Sequence, residues 1–223
     1  MSGAVIFDLD GTLVDSAPDI CAAAGSVIAR YGLEPLTLEQ TRSYVGHGAE
    51  QFVQRCLAAR GVADRPGLKA EVLAGFLDIY ESAVSLTVPY PRVVATLEQL
   101  AGMGLALGVC TNKPAAPAHA VLRHLGLDRH FAVVIGGDSL PVRKPDPAPL
   151  HAAIAGLGAT ATVFVGDSEV DAETAQRAGV AFALYTEGYR KAPVSDLPHD
   201  GAFDDFADLP GIVQGCLGLN GVA

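Results

Sequence analysis

The sequence predicts a doubly wound α/β domain, a parallel sheet covered by helices on both faces, with an all-helical insertion after its first strand. Three observations carry this reading. Apolar runs of strand length alternate with helix-period segments through most of the chain. One interval, between Ser16 and about Ser82, holds helical periods and no convincing strand. Four of the apolar runs end on small polar or acidic residues, the kind that gather at the carboxyl edge of such a sheet.

Taken in order, Ala4-Val5-Ile6-Phe7 is the first strand. Helical periods follow at Ile20–Tyr31, Leu38–Tyr44, Glu50–Arg60 and Leu68–Ala83. Turn-rich joints flank them, Asp15-Ser16-Ala17-Pro18 on one side and Val88-Pro89-Tyr90-Pro91 on the other, and would let the insertion move against the sheet. Residues 1–15 and 83–223 are therefore expected to form the α/β core, and 16–82 the helical unit. The core continues with a helix at Arg92–Met103, a strand at Leu105–Cys110, a helix at Pro117–Leu125 and a strand at Ala132–Ile135. Then come a helix at Pro147–Leu157, a strand at Thr162–Val165, a helix at Glu169–Ala178 and a strand at Ala181–Tyr185. From Ala192 onward there are five aspartates and no Lys or Arg, which reads as a solvated acidic surface.

Composition excludes several classes. Half of the 223 residues are hydrophobic and 18% are charged, enough apolar surface for a folded core. Fifteen basic against twenty-five acidic side chains give a net charge of −10, which argues against a nucleic-acid partner. No run approaches the roughly 18 apolar residues that cross a bilayer, and Met1-Ser2-Gly3 leads straight into the first strand without a signal region. A cytoplasmic protein with no membrane partner is expected. Cys21, Cys56, Cys110 and Cys216 are scattered, with no C-x-x-C, and read as reduced thiols.

The strand exits carry the chemistry. Asp8 and Asp10 follow the first run, Thr111 and Asn112 follow another, Gly136-Gly137-Asp138 leads to Lys144, and Gly166-Asp167-Ser168 leads to Asp171. Two carboxylates separated by one residue cannot both ionise cheaply unless a cation neutralises them or one keeps a proton. Asp167 and Asp171 lie i, i+4 across a helix start; the first can reach a metal, the second can orient it or a bound water. An all-oxygen donor set without His or Cys suits Mg2+. Lys144 adds positive charge, and Thr111 and Asn112 offer a hydroxyl and an amide to phosphoryl oxygens. Taken singly, D-x-D-G-T is a turn, Thr111-Asn112 a helix N-cap, Lys144 a surface charge and Asp171 a helix-surface acid. Their order, each at the exit of a separate strand, favours a phosphate site.

Asp8-Leu9-Asp10-Gly11-Thr12, Thr111-Asn112, Lys144-Pro145 and Gly166-Asp167-Ser168 with Asp171 resemble the four signature motifs of the haloacid dehalogenase-like superfamily, and the helical insertion resembles its cap. The resemblance runs over essentially the whole chain. It implies a Rossmann-like core and phosphomonoester hydrolysis through an aspartyl-phosphate. Asp8 would be the nucleophile, Asp10 the general acid and base, and Thr111 and Lys144 the phosphate holders, with Gly11 and Asn112 also at the phosphate. Asp8, the Asp10 backbone carbonyl and Asp167 would be the Mg2+ ligands, with Asp171 and Ser168 behind them.

Longer stretches resemble bacterial phosphoglycolate phosphatases: Tyr44-Val45-Gly46-His47-Gly48-Ala49, Cys110-Thr111-Asn112-Lys113-Pro114, and Val134 through Pro147. The implied reaction is 2-phosphoglycolate plus water to glycolate plus phosphate, by a monomer or homodimer. Gly46-His47-Gly48 could cradle an anion with backbone N–H groups and, with Arg42 four residues before, hold the substrate's carboxylate. The alternatives are another small-molecule phosphatase of the superfamily, a β-phosphoglucomutase-like enzyme, and, outside enzymes, a phosphorylatable signalling or binding module.

Overall fold

The structure, a computed structural model, describes residues 3–219. It begins with β1 (Gly3–Phe7) and β2 (Val14–Asp15), followed by four helices, α1 (Ala17–Ala29), α2 (Leu38–Tyr44), α3 (Ala49–Ala58) and α4 (Leu68–Tyr80). The chain returns through β3 (Val88–Pro89), α5 (Val93–Gly102), β4 (Ala106–Cys110), α6 (Ala115–His124) and β5 (Val133–Ile135). It ends with α7 (Ala148–Leu157), β6 (Ala161–Gly166), α8 (Glu169–Ala178), β7 (Ala181–Tyr185), β8 (Gly201–Phe203) and α9 (Leu209–Cys216).

Six strands form one parallel sheet in the order β5-β4-β1-β6-β7-β8. Alternate residues separate onto its two faces. Val5 and Phe7, Val163 and Val165, and Ala183 and Tyr185 face the layer of α5, α6 and α9, through Leu97, Leu122 and Val213. Ile6, Phe164, Phe182 and Leu184 face α7 and α8, through Leu150, Ala153, Ala172 and Ala175. Burial on both faces explains why these strands read as unbroken apolar runs. The winding reverses at β1, whose neighbours are β4 and β6, and that reversal opens a crevice at the carboxyl ends.

The segment between β2 and β3 is helical throughout and has an apolar cluster of its own. Ile20, Ala23, Ala24, Val27 and Ile28 make the i, i+3, i+4, i+7 stripe of α1, which meets Phe52, Val72, Phe76 and Tyr80 from α3 and α4. Thr37 and Gln40 close a capping box on α2.

The two joints are tied to each other. β2 and β3 pair antiparallel, Val14 opposite Pro89 and Asp15 opposite Val88. Buried Asp19, in the first turn of α1, accepts hydrogen bonds from Leu86 N–H at 3.0 Å and Thr87 Oγ at 2.6 Å.

The acidic tail differs from the expectation of a purely solvated surface. β8 and α9 are structural elements, and Phe203, Phe206, Leu209 and Val213 enter the core. Some of the tail's aspartates serve as local acceptors: Asp200 takes the N–H of Phe182 at 2.8 Å and Asp205 that of Ala207 at 2.9 Å. β8 is three residues long, too short for its periodicity to show through the flanking acids.

Asp19→Ala would strip the acceptor from two donors at the joint. We expect a loss of about 2–3 kcal/mol in unfolding free energy, the scale of hydrogen bonds to a buried charge. Urea denaturation with an unchanged m-value checks it, and a wild-type midpoint would show that Asp19 does not fasten the joint.

Candidate active site

β1 aligns with both neighbours so that Phe7 lies opposite Val109 on one side and Val165 on the other. Asp8, Cys110-Thr111 and Gly166-Asp167 therefore leave the sheet at one level. Backbone bonds fix them there, Asp8 N–H donating to the Val165 carbonyl at 2.8 Å and Thr111 N–H to that of Ile135 at 2.9 Å.

Lys144, from the loop between β5 and α7, comes to the same place. Its ammonium is 3.0 Å from Asp8 Oδ1 and 2.6 Å from Asp171 Oδ1, with the side chain almost wholly buried. Burial alone would disfavour the charge, but Asp171 and Asp8 outweigh it and hold the Lys144 ammonium above its ordinary range. Burial pushes Asp8 up to about 6 against the pull of Lys144, with Asp171 and Asp10 adding to the rise. Asp167 is pushed well above the carboxylate range by burial, then by Asp171 and Asp8.

These shifts express burial first and neighbouring negative charge second, and the cluster bears on a metal. Asp8, Asp167 and Asp171 each offer a carboxylate oxygen within 4.8 Å of the others, against one lysine. Asp8 Oδ1 is buried and, although close to the Lys144 ammonium, has no hydrogen bond of proper geometry. A cluster of oxygen donors with surplus charge and an unengaged lone pair fits a hard divalent cation. Asp171 is the least available ligand. Its Oδ1 takes Lys144, and its Oδ2 accepts from Ser168 Oγ at 2.6 Å and Ser168 N–H at 3.2 Å. Ser168 and Asp171 thereby form the capping box of α8, so one local motif starts the helix and aims the acid. Asp167 is aimed by Thr12 Oγ at 2.7 Å on one oxygen and Tyr189 N–H at 2.6 Å on the other.

Asp10 sits beside this group. Its Oδ1 accepts from Ser16 Oγ at 2.5 Å and pairs with Lys113 at 3.1 Å. Asp8, Asp10, Thr111 and Lys113 line a chamber closed on the helical side by Val45, Gly46, Phe52, Phe76 and Tyr80. A second cleft reaches Asp8, Asp10 and Asp167 from the other side of Gly46, past His47 and Lys191.

Three predicted contacts take a different form. Asn112 does not offer its amide to the chamber, because both N–H bonds are engaged: Nδ2 donates to the carbonyls of Gly46 and Lys144, each at 2.9 Å, joining the helical unit to the core. Gly11 does not offer its N–H either, since that donates to the Val14 carbonyl at 2.8 Å. Its contribution is space: at φ +90° a Cβ would lie 2.6 Å from Asp167 Oδ2. Arg42 turns away from both clefts to pair with Asp15 at 2.6 Å, as a side chain seeking the nearest carboxylate does. Of the predicted loop, Gly46 and Gly48 line the chamber, while His47 lines the second cleft with its Nδ1 buried and unpartnered. Burial, then Arg55 and Lys191, keep the His47 imidazole below its ordinary pKa.

Sequence reasoning assigned no role to Tyr189, Tyr80 or Lys113. The Tyr189 hydroxyl donates to Asp15 at 2.6 Å and accepts from the N–H groups of Ser16 and Ala17, each at 3.0 Å, so the residue whose backbone aims Asp167 also holds the joint. Lys113 had a usable signal, directly following Thr111-Asn112 at a strand exit. Nothing local marks the two tyrosines.

The family described as haloacid dehalogenase-like hydrolase matches residues 5–185. A curated relative named phosphoglycolate phosphatase, from Cereibacter sphaeroides, is 48% identical over 214 residues, 96% of this chain and 98% of that protein. One of the same name from Rhodobacter capsulatus is 47% identical over 216 residues, again 96% and 98% of the two chains. Among solved structures, a predicted phosphoglycolate phosphatase from Haemophilus somnus 129pt superposes with a TM-score of 0.88 at 33% identity, covering 95% of this chain and 97% of its own. The motif residues gathered at one sheet edge, and a match that spans most of the chain, have one meaning: the protein belongs to the haloacid dehalogenase-like hydrolase family.

Proposed function

We propose that the protein is a Mg2+-dependent phosphatase that hydrolyses 2-phosphoglycolate to glycolate and phosphate in the cytoplasm. The observation that carries this is the buried meeting of Asp8, Asp167 and Lys144 beside Asp10, on a chain nearly half identical to relatives that bear that name. Among the described residues no helix is long and apolar enough to cross a membrane.

Mg2+, held by Asp8, Asp167 and the Asp10 carbonyl, would supply the positive charge that lets a carboxylate approach a phosphate dianion. The protein's own groups do the rest. Lys144 and the Thr111 hydroxyl hold phosphoryl oxygens, and Lys144 keeps the Asp8 carboxylate oriented. An Asp8 oxygen attacks phosphorus, the bond from phosphorus to the ester oxygen breaks, and that oxygen takes a proton from Asp10. Asp10, now a carboxylate, removes a proton from water; the oxygen of that water attacks the phosphorus of phospho-Asp8, releasing phosphate and restoring Asp8. Ser16 and Lys113 fix Asp10 through Oδ1 and so aim the carboxyl group in both steps. Asp171 and Ser168 keep Lys144 in place and touch no substrate.

The reading is tested by kcat/KM across phosphoglycolate, sugar phosphates, pyrophosphate and a nucleotide, with and without Mg2+. Phosphoglycolate with Mg2+ should lead, and a flat profile or a metal-independent one would defeat it. Asp10→Asn should lower kcat on phosphoglycolate by about 10²–10⁴-fold. With p-nitrophenyl phosphate, whose leaving group needs no acid, it should accumulate acid-precipitable phosphoenzyme; wild-type turnover would remove Asp10 from its role.

Stability should respond to pH and metal together. The folded pKa of Asp8 is raised above its unfolded value, so between the two the native state binds more protons, and metal-free stability falls as pH rises from about 4 through 6, with Asp167 acting in the same direction. A cation bound to the ionised acids offsets that loss. Excess Mg2+ should therefore raise Tm more at about pH 7.5 than at about pH 5. Equal shifts, read by scanning calorimetry, would mean that these acids do not hold the ion.

A further inference from the structure

The chamber places one cation where the leaving group must lie. Lys113 follows Thr111-Asn112 at the end of β4, and its backbone is anchored on both sides, its N–H donating to Thr111 Oγ at 3.2 Å and its carbonyl accepting from Gly137 N–H at 2.8 Å. The ammonium is 3.1 Å from Asp10 Oδ1, bonds the Tyr80 hydroxyl, and stands 4.2 Å from the centre of the Tyr80 ring. Tyr80 is stacked on Phe76 with ring centres 4.8 Å apart, so the helical unit gives Lys113 a rigid backing.

Among the described residues, Lys113 is the one lysine or arginine that lines the chamber, and Lys191 opens on the second cleft, beyond Gly46. Lys144 lies between Asp8 and Asp171, and Arg42 is paired with Asp15 outside the chamber. Ile20, Val45, Phe52 and Phe76 make the remaining lining on the helical side largely apolar. An ammonium has three donors; Asp10 and Tyr80 take two and leave one. The ester oxygen must approach Asp10 to receive its proton, which puts a group two bonds further along the leaving alcohol next to Lys113.

We infer that Lys113, backed by Tyr80, is the specificity-determining residue that receives the carboxylate of a short phosphomonoester acid. The inference rests on the phosphatase reading and assigns within it the task expected of Arg42 together with Gly46-His47-Gly48. An anion in this apolar chamber needs a counter-charge, whereas a neutral tail of similar size leaves the third donor of Lys113 unmatched.

The test compares 2-phosphoglycolate with propyl phosphate, an ester of similar size and neutral tail, on the Mg2+-loaded enzyme. Lys113→Met should raise KM for phosphoglycolate about 10- to 100-fold, the scale of one charge-assisted hydrogen bond, and change KM for propyl phosphate by no more than about twofold. kcat should fall for both substrates alike, because Asp10 loses its partner. Inhibition by glycolate should weaken in the variant, while inhibition by inorganic phosphate stays as it was.

A measurement on the unmodified enzyme stands even if Lys113→Met does not fold: glycolate should inhibit more strongly than glycolamide, and equal inhibition would overturn the inference. So would a variant whose two KM values move together, which would leave Lys113 as a positioning residue for Asp10 alone. If the unmodified protein hydrolyses neither ester, the phosphatase reading itself fails and takes this inference with it.

Discussion

Everything at the site depends on crowding carboxylates where water is excluded. Asp8, Asp167 and Asp171 come within 4.8 Å of one another at the carboxyl ends of β1 and β6, and Lys144 is the cation that touches two of them. Burial raises the pKa of Asp8 and of Asp167, and the neighbouring carboxylates add to the rise. The surrounding structure reads as a means of holding that arrangement: Thr12 and Tyr189 clamp Asp167, Ser168 clamps Asp171, and Gly11 leaves room where a side chain would collide with Asp167. An acid cluster so constrained fits a hard divalent cation.

The same residues tie the site to the joint of the helical unit. Tyr189 reaches from Asp167 to Asp15, Ser16 and Ala17; Asp15 in turn pairs with Arg42 on α2, and Ser16 bonds Asp10. The path linking Asp167, Asp10 and α2 is thus one of direct hydrogen bonds, not of long-range influence. Asn112 closes the far side by holding the carbonyl of Gly46. The chamber is therefore lined jointly by residues of the helical segment and of the sheet's carboxyl edge.

The core strands were legible because each is buried on both faces: Val5-Ile6-Phe7 and Val163-Phe164-Val165 carry their signal in local composition. The acids were legible because strand exits in a parallel sheet converge, so a list along the chain becomes a cluster in space. What was not legible depended on distant partners. Gly201-Ala202-Phe203 is a strand only because β7 supplies its ladder. Asn112 and Arg42 looked like ligands because their donors were visible in the sequence, while the Gly46 carbonyl and the Asp15 carboxylate that engage them were not. Tyr189 carries no periodic or motif signal, and Tyr80 shows only as one position of an apolar helical stripe; each matters through partners 22 or more residues away. Residue type announces what a side chain can bond, and only the fold decides which bond it makes.

The division of labour among cations follows from the same logic. A chain with net charge −10 cannot gather a small polyanion by its overall field. Attraction has to be local, and it is strongest where dielectric screening is weakest. Lys144 and Lys113 are both almost completely buried, each already facing carboxylates of the protein. Neither is a free positive charge waiting for an anion; each lies within a network whose balance changes when substrate enters. On the proposed mechanism a phosphoryl group at Lys144 would compete with Asp8 and Asp171, and a divalent ion would supply the further positive charge. On the proposed assignment a carboxylate at Lys113 would meet an ammonium shared with Asp10 and backed by an aromatic ring. Two anionic ends of one small molecule can in this way be told apart by how much negative charge already surrounds the cation that each must meet.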